Sequence, residues 1–193
     1  GSVSAGHIIQ ATHTPKGFNL LKTDLGTYRE YGIAARLTGD DYPVGLFWSL
    51  EDPGHSIRSF EADGQRYLIV IGEKHKTGQH DDATDYYGAV ESYARRHFPV
   101  SEVVYRWSGQ HYRPADMLPY IGKTLNSGKS YVATGVSTSG LLYGPVAAQI
   151  WTDEILGRAN PYAALYAASR FAPVKAAGEF LKENLNVAGQ YAR

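Results

Sequence analysis

Three stretches of this chain carry residues whose types and spacing could do chemistry. The first is the string His75-Lys76-Thr77-Gly78-Gln79, which follows the apolar run at 65–72. An imidazole titrates near neutrality, so a histidine aimed into a pocket suits acid–base or substrate-orienting work. The competing reading is a turn residue with an ordinary hydrogen-bond partner. The second is the unit at 130–157, in which a strand runs into Gly135-Val136-Ser137-Thr138-Ser139-Gly140-Leu141-Leu142 and then a helix. Glycine ahead of a helix lets backbone N–H groups approach a ligand, and the helix N-terminus adds partial positive charge for an anion or an electron-rich carbonyl. A plain strand-to-helix turn uses glycine as well, and the spacing is not the GxGxxG of a dinucleotide site. The third is the stretch at 105–119, with Arg106, Arg113 and Asp116 in a loop stiffened by proline. Two guanidinium forks could hold a carboxylate bidentately, or they could form the ion pairs of a crossover between sheets.

Other chemistries find no support. The chain has no cysteine, which excludes disulfides, thiolate metal sites and an iron–sulfur cluster within these residues. Its seven histidines include no H-x₃-H pair, so no metal site is expected, and no G-x-S-x-G elbow points to a serine hydrolase. Lys plus Arg and Asp plus Glu are 19 each, so the basic excess that would mark a nucleic-acid partner is missing. No stretch has the roughly 18 apolar residues of a membrane span. A cytoplasmic location fits the lack of cysteine. Gly1-Ser2 resembles a cloning scar, to be left out of fold reasoning. Fifteen tyrosines against six phenylalanines suit either sheet surfaces or a pocket for a flat ligand.

The elements that must position these residues read as α+β. Strands are expected at 3–12 and 27–37, and a short buried one at 44–50. Two more, at 55–61 and 65–72, flank Asp63-Gly64, a pair that favours a tight hairpin. A helix capped by Asp81 or Asp82 should run to about His97, with Tyr86, Val90, Tyr93, Ala94 and His97 at helical spacing. A strand at 103–107 and a proline-interrupted loop at 112–121 follow. A strand at 130–134 then leads through the glycine loop into a helix at 141–156, with Gly157 just past its end. A segment opening at Pro161 ends near Arg170, and from Pro173 the tail reads as a weakly amphipathic helix.

Taken in order, these features resemble the C-terminal half of the D-amino-acid oxidase-like flavoprotein superfamily, which includes sarcosine, glycine and glutamylputrescine oxidase-type enzymes. The strings HKTGQ, YRWSGQ and AAGEFLKENLNVAGQY are similar to a bacterial subgroup in which such an oxidoreductase precedes a Rieske [2Fe–2S] domain; that domain's ligands do not occur in this chain. The resemblance implies a mostly antiparallel substrate-domain sheet with flanking helices at 17–113. It implies pieces of the FAD-binding domain at 1–16 and 114–168, and a linker at 169–193. It makes His75 the active-site residue and Arg106 or Arg113 the holder of an acidic group on a small amine or amino-acid substrate. It places Gly135, Val136, Ser137, Gly140, Leu141 and Leu142 against the flavin of a non-covalently held FAD. The adenine- and pyrophosphate-binding glycine motif of the family belongs to a missing N-terminal FAD domain, so the chain by itself should bind little FAD and be inactive. Its exposed strand edges leave room for a homodimer. Two departures stand out: Gly140–Gly144 has no lysine, which some amine-oxidising relatives carry in this loop, and no cysteine is present to attach the flavin. The competing class is a stand-alone α+β ligand-binding or interaction domain without catalysis.

Overall fold

The computed structural model describes residues 1–16, 20–78, 85–124 and 127–170. Gln79, the capping candidates Asp81 and Asp82, and the tail from Pro173 lie outside them. The chain divides into two compact units, one of Gly1–Thr27 with His111–Arg193 and one of Tyr28–Gln110.

The Tyr28–Gln110 unit is built on a five-stranded sheet. Its strands are β2 (Leu25–Leu37), β3 (Leu46–Trp48), β4 (Ser56–Ala62), β5 (Gln65–Lys76) and β6 (Val100–Pro114), in the order β3-β4-β5-β2-β6. The β2/β5, β3/β4 and β4/β5 pairs are antiparallel. Asp63 and Gly64 join β4 to β5 with φ of 52° and 69°, the two left-handed residues that match a hairpin to the twist of its strands. Helix α1 (Tyr86–His97) covers one face of the sheet. Ile33, Leu37, Ile57, Leu68 and Val70 pack there against Val90, Tyr93 and Ala94. The helix starts at Tyr86 because Asp85 caps it, its carboxylate accepting the Gly88 N–H at 2.8 Å. The other face carries Ala34, Tyr67, Ile69, Ile71 and Val104. Trp107 packs against Gly32, where a Cβ would meet its ring at 2.5 Å.

Two strands differ from their sequence reading. The run at 44–50 is not buried: Trp48 is 68% exposed, and Leu46 and Phe47 are exposed too. An edge strand of three residues has a neighbour on one side only, so apolar residues alone do not bury it. β6 is far longer than 103–107 and takes in Arg113, so the loop read at 112–121 is strand up to Pro114. Its Ser, Gly, Gln and His residues hide the alternation that would reveal a strand.

In the other unit, β1 (Ile8–Gln10), β7 (Tyr120–Thr124) and β8 (Ser127–Thr134) form a sheet in the order β1-β8-β7. β1 runs parallel to β8 and β7 antiparallel to it. Only Ile8–Gln10 of the strand read at 3–12 pairs. Helix α2 (Gly140–Ile155) packs Ala147, Ile150 and Trp151 on Ile121 and Tyr131. A short helix, α3 (Ala163–Tyr166), and a 3-10 turn at Ala168–Arg170 follow.

Arg170 ties that turn down. Its guanidinium pairs with Asp116 at 3.1 Å, donates to the carbonyls of Leu118, Pro119 and Tyr166, and stands 3.9 Å over the Tyr120 ring. The Tyr120 hydroxyl donates to Asp24 at 2.6 Å; burial first, then this bond, raises the phenol's pKa, and burial likewise raises that of Asp24. Removing one cation that satisfies this many acceptors costs on the order of 3 kcal/mol. Arg170→Ala is therefore expected to lower the midpoint of chemical denaturation for this unit. Arg170→Lys, lacking the planar fork, should restore only part of the loss.

Candidate functional site

His75 is half-buried near the end of β5, in a stack of rings. Its imidazole lies 4.2 Å from the Tyr86 ring at 14°, and Tyr86 lies 4.8 Å from Tyr31 at 10°. Tyr87 meets Tyr31 edge-on at 4.9 Å. Tyr86 and Tyr87 open α1, so the helix start and the strand end supply the two sides of the group. Tyr31 also packs against the helix-side core. Burial raises the pKa of the Tyr31 phenol. These tyrosines were not singled out as site residues from sequence. Tyr86 read as one position of a helix face, and nothing in residue type pairs it with a histidine eleven positions earlier.

The side on which His75 falls depends on an irregularity in β5. Side chains alternate along a strand, and register partners share a face. Leu68 and Val70 face the helix, and Ile69 and Ile71 face away. Regular alternation would send residue 75 away with them. Between the pairs Tyr31↔Gly72 and Arg29↔His75, however, β2 has one residue and β5 has two. This bulge returns His75 to the helix side.

Close by, His55 is buried and lies flat on Tyr93 at 3.7 Å, with its Nε2 3.3 Å from the Glu73 carboxylate. Neither ring nitrogen has a well-aligned hydrogen bond. His97 packs on the same tyrosine at 4.3 Å with its ring tilted by 35°, and stands 3.9 Å from Glu51.

The glycine loop belongs to the other unit. β8 ends at Thr134, which is buried and donates to the His13 carbonyl at 2.8 Å. Gly135 follows at φ +73°, and a Cβ there would come within 2.5 Å of Pro114. Sterics and backbone both require glycine at this point. Ser137 is left-handed as well, and its N–H donates to the Tyr112 carbonyl at 3.1 Å. Leu142 and Tyr143 donate to the Ser139 carbonyl, closing the first turn of α2. The N–H groups of Gly140 and Leu141 find no acceptor among the described residues, as first-turn amides do without a cap, and Ser139 makes no side-chain cap bond. Leu141 is 97% exposed and Leu142 is exposed beside it.

Arg106 and Asp116 each have another partner. Arg106, in the Tyr28–Gln110 unit, pairs with Glu91 of α1 at 2.7 Å. That pairing, with Arg95, holds the Glu91 carboxyl below its ordinary range. Arg113 lies on β6 in the other unit, where Asp116 is taken by Arg170. Among the described residues, no group of three His, Asp or Glu could hold a metal ion, and no helix is long and apolar enough to cross a membrane.

The family model described as FAD dependent oxidoreductase (DAO) matches residues 6–154, most of the chain. The chain belongs to this FAD-dependent oxidoreductase family. A relative from Bacillus subtilis (strain 168), named as the Rieske 2Fe-2S iron-sulfur protein YhfW, is 28% identical over 173 residues, covering 88% of this chain and 34% of the relative. Among solved structures, glycine oxidase from Geobacillus kaustophilus superposes with a TM-score of 0.54 at 20% identity, over 77% of this chain and 40% of that one. Iminodiacetate oxidase from Chelativorans sp. BNC1 gives 0.59 at 16% identity, over 75% and 40%. L-proline dehydrogenase from P. horikoshii gives 0.58 at 16% identity, over 74% and 39%. At these identities the structures establish the shared fold. The chain spans about a third of the curated relative and two-fifths of these solved chains.

Burial lowers the His55 pKa from its ordinary 6.5 and outweighs the opposing pull of Glu73 and Glu51. The unfolded chain therefore binds the proton more readily. This contribution to stability is full above about pH 6.5 and is lost as pH falls below it, until the folded pKa is reached. Denaturation midpoints should drop between about pH 7.5 and pH 5.5, and His55→Asn should show a smaller drop. An equal drop in both proteins would reject His55 as the source.

Proposed function

We propose that this chain supplies two parts of the active site of an FAD-dependent enzyme that oxidises the C–N bond of a small amine or amino acid. The glycine loop contacts the flavin, and His75 contacts the substrate. Membership in the FAD-dependent oxidoreductase family supports a flavin-dependent oxidation as the parent reaction. The observation that favours a substrate role for His75 is its place in the Tyr31–Tyr86 stack: aromatic faces attract an ammonium group, and an imidazole beside them can orient it or take its proton. The oxidase and dehydrogenase names of the superposed structures, with glycine, iminodiacetate and L-proline as their substrates, point to the same class.

The loop at 135–142 fits a flavin. It offers the unpaired amides of Gly140 and Leu141 at a helix N-terminus, exposed leucine surface, and a backbone path that glycine alone allows at 135. Gly135, Val136, Ser137, Gly140, Leu141 and Leu142 would line it, though the Ser137 amide is already given to Tyr112. FAD would supply the two-electron acceptor. Preorganised donors at the helix start would stabilise negative charge as it builds on the cofactor, each worth on the order of 3 kcal/mol. Arg106 or Arg113 would hold an acidic group of the substrate, Arg106 only in exchange for Glu91.

In the longer flavoprotein, His75→Ala should lower kcat by about 100-fold or more; unchanged kinetics would reject the assignment. The 193-residue chain alone should bind FAD with a Kd weaker than about 1 μM, because the adenine dinucleotide contacts would come from the other half. Flavin fluorescence titration checks this, and tighter binding would show that the chain is a self-sufficient FAD site.

A further inference from the structure

The β5 bulge sets Glu73 and Lys74 against one residue of β2, and Glu73 opens it at φ +54°. A left-handed residue in this position is ordinarily glycine, because a Cβ makes the conformation strained. Glu73 therefore needs something to hold it. Its carboxylate faces the His55 ring at 3.3 Å. That ring cannot retreat, since Tyr93 lies beneath it at 3.7 Å. It also covers Gly72 so closely that a Cβ there would stand 2.2 Å from it. A bare Gly72, a buried His55 (4% exposed) and a left-handed Glu73 thus form one lock. What the lock sets is the face of His75, two residues on. With the bulge, His75 stacks on Tyr86; without it, His75 would point to the side of Ile69 and Ile71.

We infer that Glu73 and His55 are positioning residues for His75, holding the bulge that turns its imidazole into the tyrosine stack. Neither needs to touch a substrate. The catalytic consequence rests on the reading of His75 as the active-site imidazole, whereas the structural consequence stands without it.

The test uses the full 193-residue chain with isotope-labelled histidine. The His75 ring resonance, identified by its loss in His75→Ala, is expected to be shifted upfield by the Tyr86 ring. Glu73→Ala keeps a Cβ and removes the carboxylate, so this resonance should move toward its unstacked position. Glu73→Gly tolerates the left-handed backbone and should leave it in place. His55→Ala should act like Glu73→Ala, and the double variant His55→Ala/Glu73→Gly should restore the stacked position. If removing His55 unfolds the sheet, the two Glu73 variants decide alone, since that side chain is 19% exposed and outside the core. An unmoved resonance in Glu73→Ala, or equal displacement in Glu73→Gly, overturns the inference. In the longer flavoprotein, Glu73→Ala should have a kcat about 100-fold below that of Glu73→Gly, the scale of a misplaced catalytic group. A displaced resonance with equal kcat in the two variants would leave the positioning intact and reject the role of His75.

Discussion

The two-against-one pairing between β5 and β2 is the constraint on which the rest of the Tyr28–Gln110 unit turns. A sheet offers each residue one of two faces, and a single inserted residue exchanges them for everything that follows. The apolar part of β5 is regular, so Leu68 and Val70 reach the helix-side core without adjustment. The polar end is shifted by one, which sends a histidine toward a helix start furnished with two tyrosines. Core and candidate site thus lie on one strand with opposite phase, and the phase changes between Gly72 and His75.

How much of this could be read from the chain depended on whether residue type carries the conformation. Asp63-Gly64 gave away its hairpin because few residues accept two consecutive left-handed positions. Gly135 gave away its loop for a similar reason, and the packing of Pro114 and Leu25 against it supplies the second cause. Glu73 gave no sign, because nothing in a glutamate announces a left-handed backbone. Its conformation follows from His55, eighteen positions away. The length of β6 is hidden because a strand next to a single neighbour tolerates polar residues, and the exposure of β3 is hidden because apolar type does not by itself bury an edge. Arg106 and Arg113 fall in different units, and Arg106 has a partner on α1 that no sequence spacing announces.

The two candidate pieces differ in kind. The loop after β8 offers backbone: its shape comes from glycine, and its donors belong to the first turn of α2. The group around His75 offers side chains, and its shape comes from a bulge and a helix start. Both lie within the residues matched by the FAD-dependent oxidoreductase family.

The contact of Trp107 with Gly32 carries a consequence of its own. An indole resting directly on a neighbouring strand's backbone, in a residue 38% exposed, has surroundings whose polarity depends on how closely those two strands approach. Separated from that of Trp48 and Trp151, its emission would therefore follow the spacing of those strands. It sits on the face away from α1, so events that loosen the helix and events that loosen the strands would register differently in its spectrum.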